Sequence, residues 1–389
     1  MDVRRALRSG LSLLAHRLAH LVPREESVWT FGARGGERFE GNAKYLFLHV
    51  ANEGGTRPVW ISKRERTVRD LRAEGFEAYR ADSLRGRWLL LRAGTVFVTG
   101  SMTDLPLWPT GGTRLIQLWH GVTLKRIAAD APRFAELSAF DRLSRLYTYR
   151  QFDAITLTAA GFGEYFRSAF RTDADLPVTG YPRNDALVRE VPGERVCQDD
   201  DAHDAVAALA DDVDHLFAYL PTYREGDADP ASHLDFEALD AFLAERDAAM
   251  LVKFHPFNDP AVDAERFGRL QFLPPEFDVY PALRDVDALV TDYSSVYFDF
   301  LLLDRPVAFY AYDRESYADD SGFHLDYDEV TPGPVAGTFD ELLRALEEVR
   351  SSPEVYAEER ERVRRLAFDH EDGRAAERVE TYARDRSDG

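Results

Sequence analysis

One cysteine, three methionines and four lysines are all that this 389-residue chain spends on those residue types. A lone Cys197 excludes an intramolecular disulfide framework and a cysteine-based zinc cluster, and it suits a reducing cytoplasm. No stretch approaches the ~20 continuous apolar residues of a membrane-spanning helix. Positive charge is also in deficit: 48 basic against 69 acidic residues leave a net charge of −21. That argues against nucleic-acid partners, because phosphate backbones are held through excess Lys and Arg. Lys44, Lys63, Lys125 and Lys253 are the only lysines, so the basic charge is almost wholly arginine. Abundant carboxylates with few lysines fit a cytoplasm of high internal salt, where a Debye length of ~3 Å at 1 M screens a carboxylate surface. An ordinary acidic cytosolic protein is the alternative.

Against these absences, 45% hydrophobic and 12% aromatic residues supply the cores of two or three domains. At the N-terminus, Val3, Leu7, Leu11, Leu14, Leu18 and Leu21 recur at three- and four-residue steps. Arg4, Arg5, Arg8, His16 and Arg17 occupy other positions before Pro23 ends the run. This predicts a basic amphipathic helix over residues 1–27, without the small-residue cleavage site of a secretory signal. It suits the interface of an anionic membrane, and packing on its own domain or a partner is the competing reading.

From Val28, strand-like runs alternate with helix-like ones: 28–31, 58–61, 76–79, 95–99, 115–119, 154–157 and 177–179 as strands, with helices beginning at Asn42, Thr67 and Trp88. Near-continuous apolar runs bounded by Gly and Pro suit parallel strands buried on both faces. Between Val191 and Val213 large apolar groups thin out, which predicts an exposed linker. A second series follows, with strands at 215–220, 250–254, 288–291 and 307–310 and a helix over 236–246. The prediction is α/β: two doubly wound, Rossmann-like domains (28–190 and 214–338) facing a cleft, with C-terminal helices over 339–389.

Ligands on such sheets bind beyond the carboxyl ends of the strands, so polar residues there are the candidates. His120 follows the run ending in Leu118 and Trp119 and suits a general base, while a satisfied structural histidine is the plainer reading. Ser294 and Ser295 open a helix after 288–291, offering hydroxyls and N–H groups to an anion; a simple N-cap is the alternative. Asp299, four residues on, shares their face and would accept hydrogen bonds from a sugar or polyol. Lys253 and His255 share one face of a strand, fit to neutralise a diphosphate and to bind or protonate its oxygens, with an edge salt bridge as the alternative. Thr222 offers its hydroxyl and local N–H groups to the cleft, and Arg183 a planar fork for phosphate, with Asn184 or Asp185 capping the helix that follows. There is no HExxH, Walker loop, convincing GxGxxG, cysteine ligand set or glycine-flanked serine elbow, so neither a metal nor a cofactor is expected.

In order, Trp119-His120-Gly121, Gly180-Tyr181-Pro182-Arg183-Asn184-Asp185, Pro221-Thr222-Tyr223-Arg224, Phe254-His255-Pro256 and Thr291-Asp292-Tyr293-Ser294-Ser295 resemble the CDP-glycerol glycerophosphotransferase family of teichoic-acid synthesis. The resemblance runs from about Trp29 to Tyr317 and includes Leu303-Asp304-Arg305-Pro306. It implies a GT-B fold, peripheral attachment to the cytoplasmic membrane face, and transfer of glycerol phosphate from CDP-glycerol to an acceptor hydroxyl with release of CMP. His120 and His255 would be catalytic. Trp119, Gly121, Arg183, Pro221, Thr222, Lys253, Ser294, Ser295 and Asp299 would bind substrate. Val122-Thr123 stands where the family usually has Thr-Pro, Tyr223 where Trp is common, and Lys253-Phe254 where an Arg-led pair is usual, so the polyol is left open. With the high-salt composition, an archaeal surface glycan or lipid-linked glycan becomes the expected acceptor. A GT-B glycosyltransferase using a nucleotide sugar and a non-catalytic nucleotide-binding protein are the alternatives.

Overall fold

The computed structural model describes residues 12, 14–100, 103–106, 108–224, 230–254 and 262–385. The chain divides into two compact units: residues 1–120, 137–197 and 369–389 form the first, and residues 121–136 and 198–368 the second.

The first unit holds six parallel strands: β1 (Glu25–Gly32), β2 (Arg57–Ser62), β3 (Ala78–Arg80), β4 (Ala93–Val98), β5 (Arg114–Gln117) and β6 (Ala154–Ile155), in the order β3-β2-β1-β4-β5-β6. The second repeats the plan with β7 (His215–Tyr219), β8 (Ala248–Val252), β9 (Leu270–Phe272), β10 (Ala288–Thr291), β11 (Val307–Tyr310) and β12 (Val335–Ala336), in the order β12-β11-β10-β7-β8-β9. Counted within each unit, both orders are 3-2-1-4-5-6, the doubly wound arrangement expected from the alternating runs. The strand sequences account for it. Val59, Trp60, Ile61, Val96, Phe97 and Val98 are wholly buried, as strands covered on both faces require. In the first sheet Phe31 stacks on Phe97 at 4.8 Å, with Phe47 edge-on at 5.5 Å. In the second, Phe217, Met250 and Val290 pack with Leu239 and Leu243 of the helix Phe236–Ala244 and Leu342 and Leu346 of Phe339–Ser351.

Four local expectations change. The strand expected over 115–119 stops at Gln117, because Trp119 takes a left-handed backbone (φ 54°) and its N–H turns to the Gln117 Oε1 at 3.1 Å. Residues 177–179 contribute a single bridge, Leu157 to Val178, rather than a strand. The stretch expected as a linker contains the helix Asp200–Asp212, capped by Asp199 and buried through His203 and Val206. Its alanines favour a helix more than its acidity opposes one. Last, the helix Ala375–Asp385 belongs to the first unit, whereas Phe339–Ser351 and Ala357–Ala367 belong to the second.

Candidate active site

In each unit, polar side chains gather where the doubly wound order places a ligand, beyond the carboxyl ends of the central strands. In the first unit, Thr99 follows β4 and His120 follows β5 by three residues. The imidazole is exposed and its Nδ1 lies 3.1 Å from the Thr99 carbonyl oxygen. A carbonyl only accepts, so Nδ1 carries the proton and Nε2 is the basic nitrogen of the neutral ring. The Asp104 carboxylate gathers the neighbouring loops, accepting the N–H groups of Gly35 (2.7 Å), Thr99 (2.9 Å) and Gly100 (2.7 Å).

Arg183 lies in the short 3-10 turn Pro182–Asn184, nearly buried, with its guanidinium 5.9 Å from the Tyr181 ring. The turn is fixed from both sides. Gly180 has φ 75°, and a Cβ there would come within 3.1 Å of Ala375. Contrary to expectation, neither Asn184 nor Asp185 caps the helix Asp185–Val188; the Asp185 carboxylate takes the N–H groups of Ala375 and Ala376 (2.8 and 2.9 Å) at the start of the last helix. Burial raises the Asp185 pKa against the pull of those two N–H groups.

In the second unit Thr222 follows β7 and Asp292 follows β10, adjacent strands at the point where the order reverses. The Thr222 N–H (2.9 and 3.1 Å) and hydroxyl (2.6 Å) all donate to the Asp292 carboxylate, so that hydroxyl anchors the loop instead of facing a ligand. Arg224 completes the arrangement. Its guanidinium donates to Asp292 (2.8 Å), to Asp313 (2.6 and 3.0 Å) and to the Thr222 carbonyl (2.9 Å), with the Tyr317 ring at 4.7 Å. Burial opposes its charge, but Asp292 and Asp313 outweigh burial and hold its pKa above the ordinary value. The Tyr293 hydroxyl reaches Asp313 at 3.1 Å and the Tyr327 hydroxyl the Asp292 carbonyl at 3.2 Å, which fixes the loop leading to Ser294 and Ser295.

Ser294 and Ser295 are half-buried ahead of the helix Val296–Phe300, and the Ser295 side chain makes no capping bond. Asp299 is fully buried and accepts the Tyr280 hydroxyl at 2.7 Å, so this carboxylate braces the helix from within. Lys253 is half-buried one residue past β8, its N–H still paired to the Tyr219 carbonyl (3.1 Å). Pro221 is half-buried beside Thr222. His255 and Pro256 lie outside the described residues, so the pairing of Lys253 with His255 does too. Within the first unit, His120 and Arg183 are brought together through loops sharing Asn42. Within the second, Pro221, Thr222 and the serine loop meet through Asp292.

Sequence reading missed Asn42, Asp104 and Asp313, and it quoted Arg224 and Asp292 without a role. It also left Lys125 aside, whose Nζ donates to the Tyr317 hydroxyl (3.1 Å) while Tyr317 stacks on Tyr293 at 4.1 Å. Rarity was the available signal: Lys125 is one of four lysines and follows His120 by five residues.

The family described as CDP-Glycerol:Poly(glycerophosphate) glycerophosphotransferase matches residues 14–383. The chain belongs to that family. Membership makes it a transferase of the CDP-glycerol glycerophosphotransferase type, as the five motifs implied. Among related proteins, the teichoic acid poly(glycerol phosphate) polymerase of Bacillus spizizenii is 26% identical over 367 residues, covering 89% of this chain and 90% of its own. The teichoic acid glycerol-phosphate transferase of Staphylococcus aureus is 26% identical over 380 residues, covering 93% and 94%. The solved wall teichoic acid polymerase TagF superposes with a TM-score of 0.77 at 22% identity, over 99% of this chain and 98% of that one, which places both units in a GT-B-like fold.

Proposed function

We propose that this family member transfers glycerol phosphate, or a related polyol phosphate, from a CDP-polyol to a hydroxyl of a membrane-linked glycan or lipid. The acceptor oxygen attacks the polyol-bearing phosphorus in line. The new bond joins acceptor oxygen to phosphorus, the bond to the oxygen bridging the two phosphates breaks, and CMP leaves with that oxygen. The hydroxyl proton passes to Nε2 of His120. The observation that carries the reading is the His120 ring, exposed at a strand end with Nδ1 committed to the Thr99 carbonyl. Lys253, Arg183 and the N–H groups at Ser294 and Ser295 meet the phosphate charge, each charge-assisted contact contributing roughly 1.5–3 kcal/mol. Trp119, Gly121 and Pro221 line the substrate path. His255 is assigned to the leaving phosphate on its sequence position alone. Thr222 and Asp299 act by holding the loops that carry Pro221 and the serines.

Nucleotide release should be measured with CDP-glycerol, CDP-ribitol and UDP-sugars side by side, with membrane lipid extract as acceptor. Release of CMP from a CDP-polyol alone is expected, and release of UDP would turn the reading toward glycosyl transfer. His120→Ala should lower turnover by ~10²–10⁴ with CDP-polyol binding intact, the range for losing a general base. Near-normal turnover in that variant removes the base assignment.

The surface of the first unit supports a peripheral membrane location. Among the described residues no helix is long and apolar enough to cross a membrane. Val3, Leu7 and Leu11 of the predicted helix lie outside the described residues; residues 14–22 pack through His16 and Ala19, contrary to the polar placement of His16 expected from sequence, and expose Leu14, Leu18 and Leu21. Leu84 and Trp88 of the helix Leu84–Arg92 are likewise exposed, beside Arg85 and Arg87. Arg24 ties the two segments, donating to the Ala19 carbonyl (2.8 Å) and to the Leu91 carbonyl. Leucines and a tryptophan flanked by arginines support peripheral attachment to an anionic leaflet. Binding to vesicles should survive molar salt, because apolar burial persists when charge is screened. Leu18→Glu with Trp88→Glu should abolish it, and retained pelleting excludes this face as the anchor.

A further inference from the structure

We propose that Asn42 is a positioning residue for His120; this rests on His120 being the base. Asn42 sits in the first turn of the helix Gly41–Glu53 and is fully buried. Its amide serves two loops at once. The Nδ2 group donates to the carbonyls of Leu118 (3.1 Å) and Trp119 (2.8 Å), and Oδ1 accepts the Arg183 N–H at 3.2 Å. Only this orientation works, since a flipped amide would set its oxygen against two carbonyls and its nitrogen against an N–H.

The contact falls where the backbone most needs holding. Trp119 is a bulky side chain at φ 54°, a conformation that persists only when its surroundings over-determine it. Its N–H is fixed by Gln117 and its carbonyl by Asn42. The Leu118 carbonyl also takes the Thr156 hydroxyl at 2.9 Å. His120 is the next residue, so the Trp119 dihedrals set the direction of the imidazole. The same helix turn grips the other side of the ring: the Ala43 N–H donates to the Thr99 Oγ1 at 3.3 Å, and the Thr99 carbonyl is the one that binds His120 Nδ1. Residues 42 and 43 thereby hold both the backbone carrying the base and the residue fixing its tautomer. The third Asn42 contact extends the hold to the backbone of Arg183. An amide supplies two donors and one acceptor without a charge; no other uncharged side chain short enough for this first-turn position combines them.

The test is a double-mutant cycle on the full chain with CDP-glycerol as donor. Asn42→Ala should lower kcat by about 100-fold, the scale of an ångström-sized misplacement, while KM and direct binding of CDP-glycerol change by less than about threefold. Asn42→Asp keeps the size and the acceptor but loses the donors, and should behave alike. In a His120→Ala background either substitution should change the residual turnover by less than about threefold, because its effect runs through the imidazole. An undiminished effect in that background overturns the proposal, since Asn42 would then act by another route. So does normal kcat per CDP-glycerol-binding site in the Asn42 variants, even if both fold poorly, because the residue would then serve folding alone. If His120→Ala by itself turns over normally, the base reading has failed, and that single variant reports it separately from the cycle.

Discussion

The two units share a strand order, yet they secure their functional loops with different chemistry. The first uses a neutral amide: Asn42, fully buried, stitches the turn before His120 to the turn of Arg183 by three hydrogen bonds. The second uses an ionic hub: Arg224, 5% exposed, is clamped between Asp292 and Asp313 under a layer of tyrosines. A neutral node costs little to bury and holds geometry. A buried ion pair is costly to desolvate, and its value shows mainly when one partner is removed and the other is left uncompensated. Two copies of one topology therefore differ in what breaks them.

Removing the Arg224 guanidinium should produce the largest effect. Arg224→Ala should destabilise the second unit by about 3–5 kcal/mol, since the buried Asp292 and the half-buried Asp313 are left without their counter-charge, and CDP-glycerol binding should fall with it. Urea unfolding followed by tyrosine signals measures this, and a loss under about 1 kcal/mol would mean the hub is no cornerstone.

Alkali should separate the units next. In the second unit burial raises the pKa of Tyr219, Tyr293, Tyr297, Tyr312 and Tyr327 above the ordinary value, and pushes Tyr310 up to about 12. A phenol whose folded pKa is raised keeps its proton while the unfolded chain loses it. Below pH 10 it contributes no pH dependence; stability then falls as pH rises from 10 through about 12. All five tryptophans, Trp29, Trp60, Trp88, Trp108 and Trp119, belong to the first unit, so their fluorescence reports that unit alone. Burial raises Tyr149 and Tyr382 of the first unit too, but most of the raised phenols are in the second. Phenolate absorbance should therefore begin to change in this window ahead of any tryptophan change, and simultaneous transitions would erase the contrast.

Asn42→Ala should cost the first unit about 1–3 kcal/mol, because the Trp119 carbonyl and the Arg183 N–H lose the buried amide, read by tryptophan fluorescence. A loss as large as that of Arg224→Ala would collapse the distinction between neutral and ionic nodes. The smallest effect belongs to the half-buried pair Arg57 and Glu77, bonded at 2.7 Å, where hydrogen bonding from Arg57 holds the Glu77 pKa below the ordinary carboxylate range. That contribution is present above about pH 4.5 and is lost as pH falls through the lowered folded value. Glu77→Gln should cost under about 1 kcal/mol at neutral pH and flatten the acid limb of the first unit's stability profile.

Much of this was legible in the chain itself. Runs such as 58–61 and 96–98 are apolar throughout, which a strand buried on both faces tolerates, so two parallel sheets followed from pattern alone. The five motifs carried the family and pointed to His120, Arg183 and the serine loop. The polar nodes were not legible. Asn42 reads as an ordinary first-turn residue of a helix, and its three partners lie 76, 77 and 141 positions away. Asp313 follows a strand with no local sign that Arg224, 89 positions earlier, would reach it. Asp185 looked like a local cap because the residues it caps lie 190 and 191 positions on.

The sequence by itself determined the alternation of strands and helices, the burial of each sheet and the strand ends at which chemistry would stand, because periodicity and Gly/Pro punctuation act over a few residues. Tertiary structure alone decided what those polar groups do. A carboxylate or an amide has the same formula whether it meets substrate or braces a loop, and the choice rests on which distant N–H, carbonyl or guanidinium the fold brings within 3 Å. Thr222 and Asp299 were expected at a ligand and were found holding Asp292 and Tyr280. Asn42 was expected only to open a helix and was found joining the turns of His120 and Arg183.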